Sequence, residues 1–126
     1  MEYLHMSAKK SFPRSPCAIA NSLDILGDKW SLLVVRDLLH GKQTYGELAD
    51  SREHIPTNIL ADRLKRLEGE GIISRNEYQQ RPTRYAYSLT PKGVALRDVL
   101  RAMVAWGTKH IPGTLVMNQG PKHRQS

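Results

Sequence analysis

The chain has one cysteine, one phenylalanine and two tryptophans among 126 residues. None of its apolar runs approaches the ~18 residues that a membrane-spanning helix requires. A single cysteine cannot close an internal disulfide, so nothing asks for an oxidising compartment. The opening stretch, Met1 to Pro16, is interrupted by His5, Lys9 and Lys10 and lacks the apolar segment of a secretory signal. A cytoplasmic protein without membrane contact is therefore expected. Catalytic signatures are also missing: there is no HExxH, no phosphate loop and no GxSxG. The five histidines (His5, His40, His54, His110, His123) stand at separations that put no metal pair on one helix face. No enzyme, metal site or cofactor is expected. Asp37 beside Arg36, and Glu68 with Glu70, read as helix-surface charges.

What is present is positive charge, net +7 at neutral pH with a pI near 9.8. It suits anionic partners, and its placement is uneven. Residues 17–62 hold four basic against seven acidic side chains. Residues 63–84 reverse this, with Arg63, Lys65, Arg66, Arg75, Arg81 and Arg84 against three glutamates. The length suits one domain, and 40% hydrophobic residues can supply a core. A chain this short leaves much surface exposed, which a second copy would help to bury.

Apolar spacing divides the chain into a flexible arm (1–16), a folded domain (17–110) and a flexible tail (111–126). Ile19, Leu23 and Leu26 mark a first helix from Cys17, closed by Gly27. A second is expected from about Asp28 to His40, with Trp30, Leu33, Val34 and Leu38 as its buried stripe. Thr44-Tyr45-Gly46-Glu47 fits a capping box opening a short third helix, with Tyr45 and Leu48 turned inward. After a polar connector, Pro56 suits the first turn of a fourth helix that reaches about Glu70. Leu60, Leu64 and Leu67 share one face of it. Ile72–Tyr78 and Arg84–Leu89 read as two strands around a tip at residues 79–83. Thr90-Pro91 opens a fifth helix bearing Leu96, Val99, Leu100, Met103, Val104 and Trp106.

The fold class expected is mainly α with a small β-hairpin, a winged helix-turn-helix. In such a unit the second helix of the pair enters the major groove of duplex DNA. With its leucines inward, a turn of about 100° per residue leaves Thr57, Asn58, Ala61, Asp62 and Lys65 outward or at the rim. Asn pairs with adenine, a small Ala suits a thymine methyl, and Asp accepts from cytosine. Thr57, Asn58, Ala61 and Asp62 are thus the expected base-reading residues. Arg63, Lys65 and Arg66, with Arg81 and Arg84 of the wing, are assigned to the DNA backbone. The plain alternatives are a solvated helix face and arginines that only keep a hairpin soluble.

Four blocks are familiar in their order: Asp24–Trp30, Arg36–Leu38, Ile55–Leu64 and Tyr85–Gly93. Together they resemble the HxlR family of bacterial transcription regulators, over roughly Cys17 to Gly107. The resemblance implies a homodimer formed by the first and last helices. It also implies an inverted-repeat operator near a promoter, with the recognition helices on neighbouring half-sites. The apolar surfaces agree: Ile19, Leu23, Leu96, Val99, Leu100, Met103 and Trp106 are the expected dimer interface, since an excess of apolar surface marks association.

Cys17 opens the first helix, where unpaired amides favour the reactive thiolate. Some HxlR-like regulators sense quinones, aldehydes or oxidants through a cysteine at the matching position, so Cys17 is a candidate sensor; the inert reading is a small residue at a helix start. The sequence identifies no small-molecule effector. The rival to DNA reading is a winged helix used as a protein-interaction module, against which Lys65, Arg81 and Arg84 argue. Single-stranded or RNA recognition would favour exposed aromatics; Tyr78 near the wing is the one exception to their inward placement.

Overall fold

Eight elements follow one another along residues 12–116, the part of the chain that the computed structural model describes. They are α1 (Ala18–Leu26), α2 (Ser31–Leu39), α3 (Tyr45–Ala49), α4 (Thr57–Gly69), β1 (Ile73–Gln80), β2 (Thr83–Leu89), α5 (Pro91–Val94) and α6 (Arg97–His110). Residues 1–11 and 117–126, the outer parts of the expected arm and tail, lie outside it. The inner part of the arm is bonded to α1: Arg14 Nε donates to Asp24 Oδ1 at 2.9 Å, and Asn21 Nδ2 donates to Ser15 O at 2.7 Å.

α2 begins three residues later than expected: Trp30 is its N-cap, and Asp28, two residues upstream, turns its side chain onto the helix start. The Asp28 carboxylate accepts from the amides of Trp30 and Ser31, both at 3.0 Å, and from the Ser31 hydroxyl at 2.6 Å. Its inward stripe is Val34, Val35 and Leu38, with Trp30 and Leu33 half-buried. Asp37 does not behave as a surface charge. It is buried, beside Arg36, whose guanidinium donates to Asp37 Oδ1 at 3.0 Å and grips both oxygens of Glu53 at 2.8 Å. That bidentate grip fastens α2 to the turn leading into α4.

The capping box of α3 forms as spelled: Thr44 Oγ1 accepts from the Glu47 amide, and Glu47 Oε1 accepts from the amides of Gln43 and Thr44. These two amides hold the Glu47 carboxyl below its ordinary range. Pro56 is the N-cap of α4, one place before the helix proper. At the far end Gly71, at φ +74°, takes the left-handed conformation that glycine adopts without a Cβ penalty. There the Ile72 amide bonds Leu67 O and the Gly71 amide bonds Glu68 O, closing the helix.

The strands are longer than expected and the tip shorter, reduced to Arg81 and Pro82. They pair antiparallel, Ile73 opposite Leu89 and Gln80 opposite Thr83, with a bulge between Glu77 and Gln79. The base of this wing is pinned twice. Thr44 bridges Ala86, and the Tyr87 amide donates to Gln43 O at 2.8 Å. Thr90 Oγ1 lies 2.6 Å from Gly71 O and 3.0 Å from Ile72 O, with one hydrogen to share between them. Gly93 lies so near that a Cβ there would meet Ile72 O at 2.2 Å.

The expected fifth helix is two: α5 and α6 meet at Ala95–Leu96, where Leu96 N bonds Gly93 O, a tighter turn than an α-helix makes. Leu48, Leu60, Leu64, Leu67, Ile72 and Ile73 join the α2 stripe in one core. No described helix is long and apolar enough to cross a membrane.

Candidate nucleic-acid interface

α4 turns Leu60, Leu64 and Leu67 into the core and leaves Thr57, Asn58, Ala61, Asp62, Lys65 and Arg66 exposed. Leucines at i, i+4 and i+7 fix that orientation, so the polar side has no choice of face. The side chains of Asn58, Lys65 and Arg66 have no ion pair or hydrogen bond within the described residues. Arg81 and Arg84 of the wing are exposed and equally uncommitted.

Arg63 departs from the expected set. Its guanidinium donates through Nε to Asp28 Oδ2 at 2.9 Å and through Nη1 to Asp62, and its side chain is 17% exposed. It is a brace between α4 and the turn before α2, not a free cation. The Asp28 carboxyl records this: burial raises it, but hydrogen bonds from Ser31, Arg63 and two amides drive it well below the carboxylate range. Asp62 stays exposed on the outward face with one oxygen committed to Arg63.

Tyr45 was expected inside and is instead at the surface, 37% exposed. Its hydroxyl donates to Thr57 O at 2.9 Å, tying α3 to the first residue of α4. Between α3 and the wing lies an open cleft of about 410 Å³, lined by Thr44, Tyr45, Tyr78, Arg84, Tyr85 and Tyr87 among others. Burial pushes the Tyr87 phenol up from its ordinary value.

The expected dimer residues divide. Ile19 and Leu23 on α1, and Val99, Met103 and Trp106 on α6, are exposed. Leu96 and Leu100 are not part of that surface: they pack against the core and attach α6 to its own subunit. Val104, 40% exposed, belongs with the exposed set instead. Not one residue of the 14-residue α6 is buried. Cys17 is exposed as the N-cap of α1.

The model of the HxlR-like helix-turn-helix family matches residues 25–114. The chain belongs to that family. Among its relatives in the HxlR-like family, the HTH-type transcriptional regulator sll1512 of Synechocystis is 41% identical over 92 residues, covering 73% of this chain and 68% of the relative. YvaP of Bacillus subtilis, also described as an HTH-type transcriptional regulator, is 38% identical over 90 residues, 71% and 83% of the two chains. The reduced form of the transcriptional regulator YodB from B. subtilis superposes with a TM-score of 0.66 at 29% identity, covering 80% of this chain and all of that one. The diamide-treated YodB structure matches at 0.61 and 30% identity, over 79% and 97% of the two chains. The HxlR-like winged helix is thus the fold of this chain.

Sequence reasoning missed the Asp28–Arg63 brace, the Tyr45–Thr57 bond and the tyrosine-lined cleft. The spacing of Tyr85 and Tyr87 on one strand face was the only local sign of the cleft. The other two join residues 35 and 12 positions apart and leave no periodic trace.

Proposed function

We propose that this HxlR-like protein is a sequence-specific regulator that binds double-stranded DNA in the cytoplasm as a homodimer on an inverted-repeat operator. The observation that carries the reading is the outward side of α4, where Thr57, Asn58, Ala61 and Asp62 are exposed, together with the exposed wing cations Arg81 and Arg84. A helix of this kind reads base edges in the major groove, and uncommitted cations of the wing hold phosphates. Lys65 and Arg66 extend the phosphate contacts along α4. Two exposed apolar faces, Ile19 and Leu23 on α1 and Val99, Met103, Val104 and Trp106 on α6, support the dimer. Selection of bound fragments from random duplex DNA, followed by footprinting, tests the reading. The expected product is an inverted repeat with half-site centres about 34–36 Å apart. Recovery of no preferred sequence would sink it.

A second reading concerns control. Cys17 is exposed at the start of α1, and YodB, its structural relative, has been solved both reduced and after diamide treatment. Cys17 is the sensing residue in this reading, acting through a partner thiol from the other subunit or a small thiol, because the chain has no second cysteine. DNA binding by Cys17→Ser, with and without diamide, tests it. Equal sensitivity of both proteins removes Cys17 from the mechanism.

A further inference from the structure

The cleft between α3 and the wing has two properties that its walls do not need for folding. The first is a displayed tyrosine. The β-ladder shifts register between Glu77 and Gln79, so Tyr78 has no partner on β2. A bulge re-aims the side chain it carries, and Tyr78 lines the cleft while remaining 54% exposed, its hydroxyl without a bond among the described residues. The second is an uncommitted cation. Arg75, the arginine over the Tyr85 ring at 4.3 Å, is taken up by Glu68 at 3.3 Å. Arg84 lines the cleft and has no such partner among the described residues.

The position of the cleft names its occupant. One wall is Tyr45, hydrogen-bonded to the first residue of α4; the other is the wing. If α4 lies in one groove and the wing reaches the next, the strand that separates the two grooves has to pass between them. The argument rests on the DNA-reading proposal above. We infer that the cleft seats the sugar–phosphate backbone of that strand, with Arg84 pairing the phosphate charge and the Tyr78 hydroxyl donating to a phosphate oxygen. Tyr45 has no hydrogen to give, because its own is spent on Thr57 O. Its ring is a wall for the deoxyribose, and its bond to Thr57 makes the seated strand bear on the residue that starts the reading helix. Arg84 is thereby assigned one phosphate shared with a neutral donor, and Tyr78 enters the interface.

The two residues leave different signatures. A charge that displaces counterions contributes about 0.9 to the salt slope, and a neutral hydroxyl contributes almost nothing. Affinity for the selected duplex is measured by anisotropy between 50 and 200 mM salt for the full chain, Tyr78→Phe, Arg84→Ala and the double variant. Tyr78→Phe should lose about tenfold per half-site, about a hundredfold for the dimer, on every duplex, the scale of one hydrogen bond to a charged group per copy, with the slope unchanged. Arg84→Ala should lower the dimer's slope by about two, one for each copy. Among the positions where a neutral methylphosphonate scanned along the backbone weakens the wild type, one per half-site should weaken the double variant no further. Both variants alter exposed side chains, and unchanged melting curves confirm that they fold. Tyr78→Phe binding like wild type, or sensitivity of Tyr78 and Arg84 to different phosphates, overturns the clamp while leaving DNA reading intact. A wild type that binds no duplex overturns the reading and the clamp together.

Discussion

Arg63 Nε stands 2.9 Å from Asp28 Oδ2, joining the middle of α4 to the turn before α2 across 35 positions of sequence. Both side chains are mostly withdrawn from solvent, 17% and 22% exposed. Removing one partner of such a charged hydrogen bond leaves the other without its counter-group. Arg63→Ala should therefore cost about 1.5–3 kcal/mol of stability, read as a lower urea midpoint. Arg63→Lys, which keeps the charge with a different donor geometry, should recover part of the loss. The competing role, a free phosphate contact, makes the opposite pattern: unchanged stability and a smaller salt slope. An unshifted midpoint for Arg63→Ala would discard the brace.

Acid should loosen the fold through the same carboxylate. The Asp28 carboxyl lies well below its ordinary range; burial opposes this, and the Ser31, Arg63 and amide hydrogen bonds outweigh it. Glu53 is lowered chiefly by Arg36, and Glu47 by the amides of Gln43 and Thr44. Folded carboxyls with depressed values bind protons less readily than unfolded ones, which titrate near ~4. Their contribution is present above about pH 4 and is lost as pH falls through the folded values. Urea midpoints measured from pH 7 down to pH 3 should drop most steeply below pH 4. In Asp28→Asn the neutral-pH midpoint should be lower and the acid slope shallower. A slope as steep as wild type would show that Asp28 takes no part.

Base reading and backbone holding should separate by variant. Asn58 is exposed on α4 without a partner among the described residues, so Asn58→Ala should relax preference at one operator position by about 1–3 kcal/mol. Arg84→Ala should instead weaken all duplexes alike and flatten the salt dependence. Binding to a panel of single-substituted operators distinguishes the two. The same pattern from both variants would mean that helix and wing have been given the wrong parts.

The leucines of α4, the Thr44–Glu47 box and the Thr90-Pro91 start were legible because each is a local rule, set by spacing within one turn or one cap. The outward face of α4 followed from the same leucines. What was not legible depends on partners far along the chain. Arg63 looks like any basic residue on a polar face until Asp28 is placed against it. Asp37 beside Arg36 looks like a surface pair until Glu53 arrives from the next turn to take the guanidinium. The joint at Ala95–Leu96 carries no breaker residue, and the helical apolar pattern runs across it. Leu96 and Leu100 share spacing with Val99 and Met103, so periodicity gave all four one fate. Packing gave them two: the leucines face the core and the others solvent.

That division makes the dimer testable without unfolding the subunit. Trp106 is 61% exposed and contributes nothing to the core, so a charge placed there costs the isolated fold little. In a dimer built on α1 and α6 it would lie in a desolvated interface, where an unpaired carboxylate is strongly unfavourable. Trp106→Glu should therefore shift light scattering on gel filtration from dimer to monomer while far-ultraviolet circular dichroism stays native. Ile19→Glu on α1 should do the same, since both faces are required. Leu100→Ala should behave differently, because Leu100 anchors α6 to its own core. It should lower stability by about 2–5 kcal/mol, less to the extent that the side chain is only half-buried, and any loss of dimer should track that unfolding. DNA affinity should fall with dimer content in all three, because one reading helix alone covers half an operator. A Trp106→Glu protein that remains dimeric at micromolar concentration would move the interface away from α6.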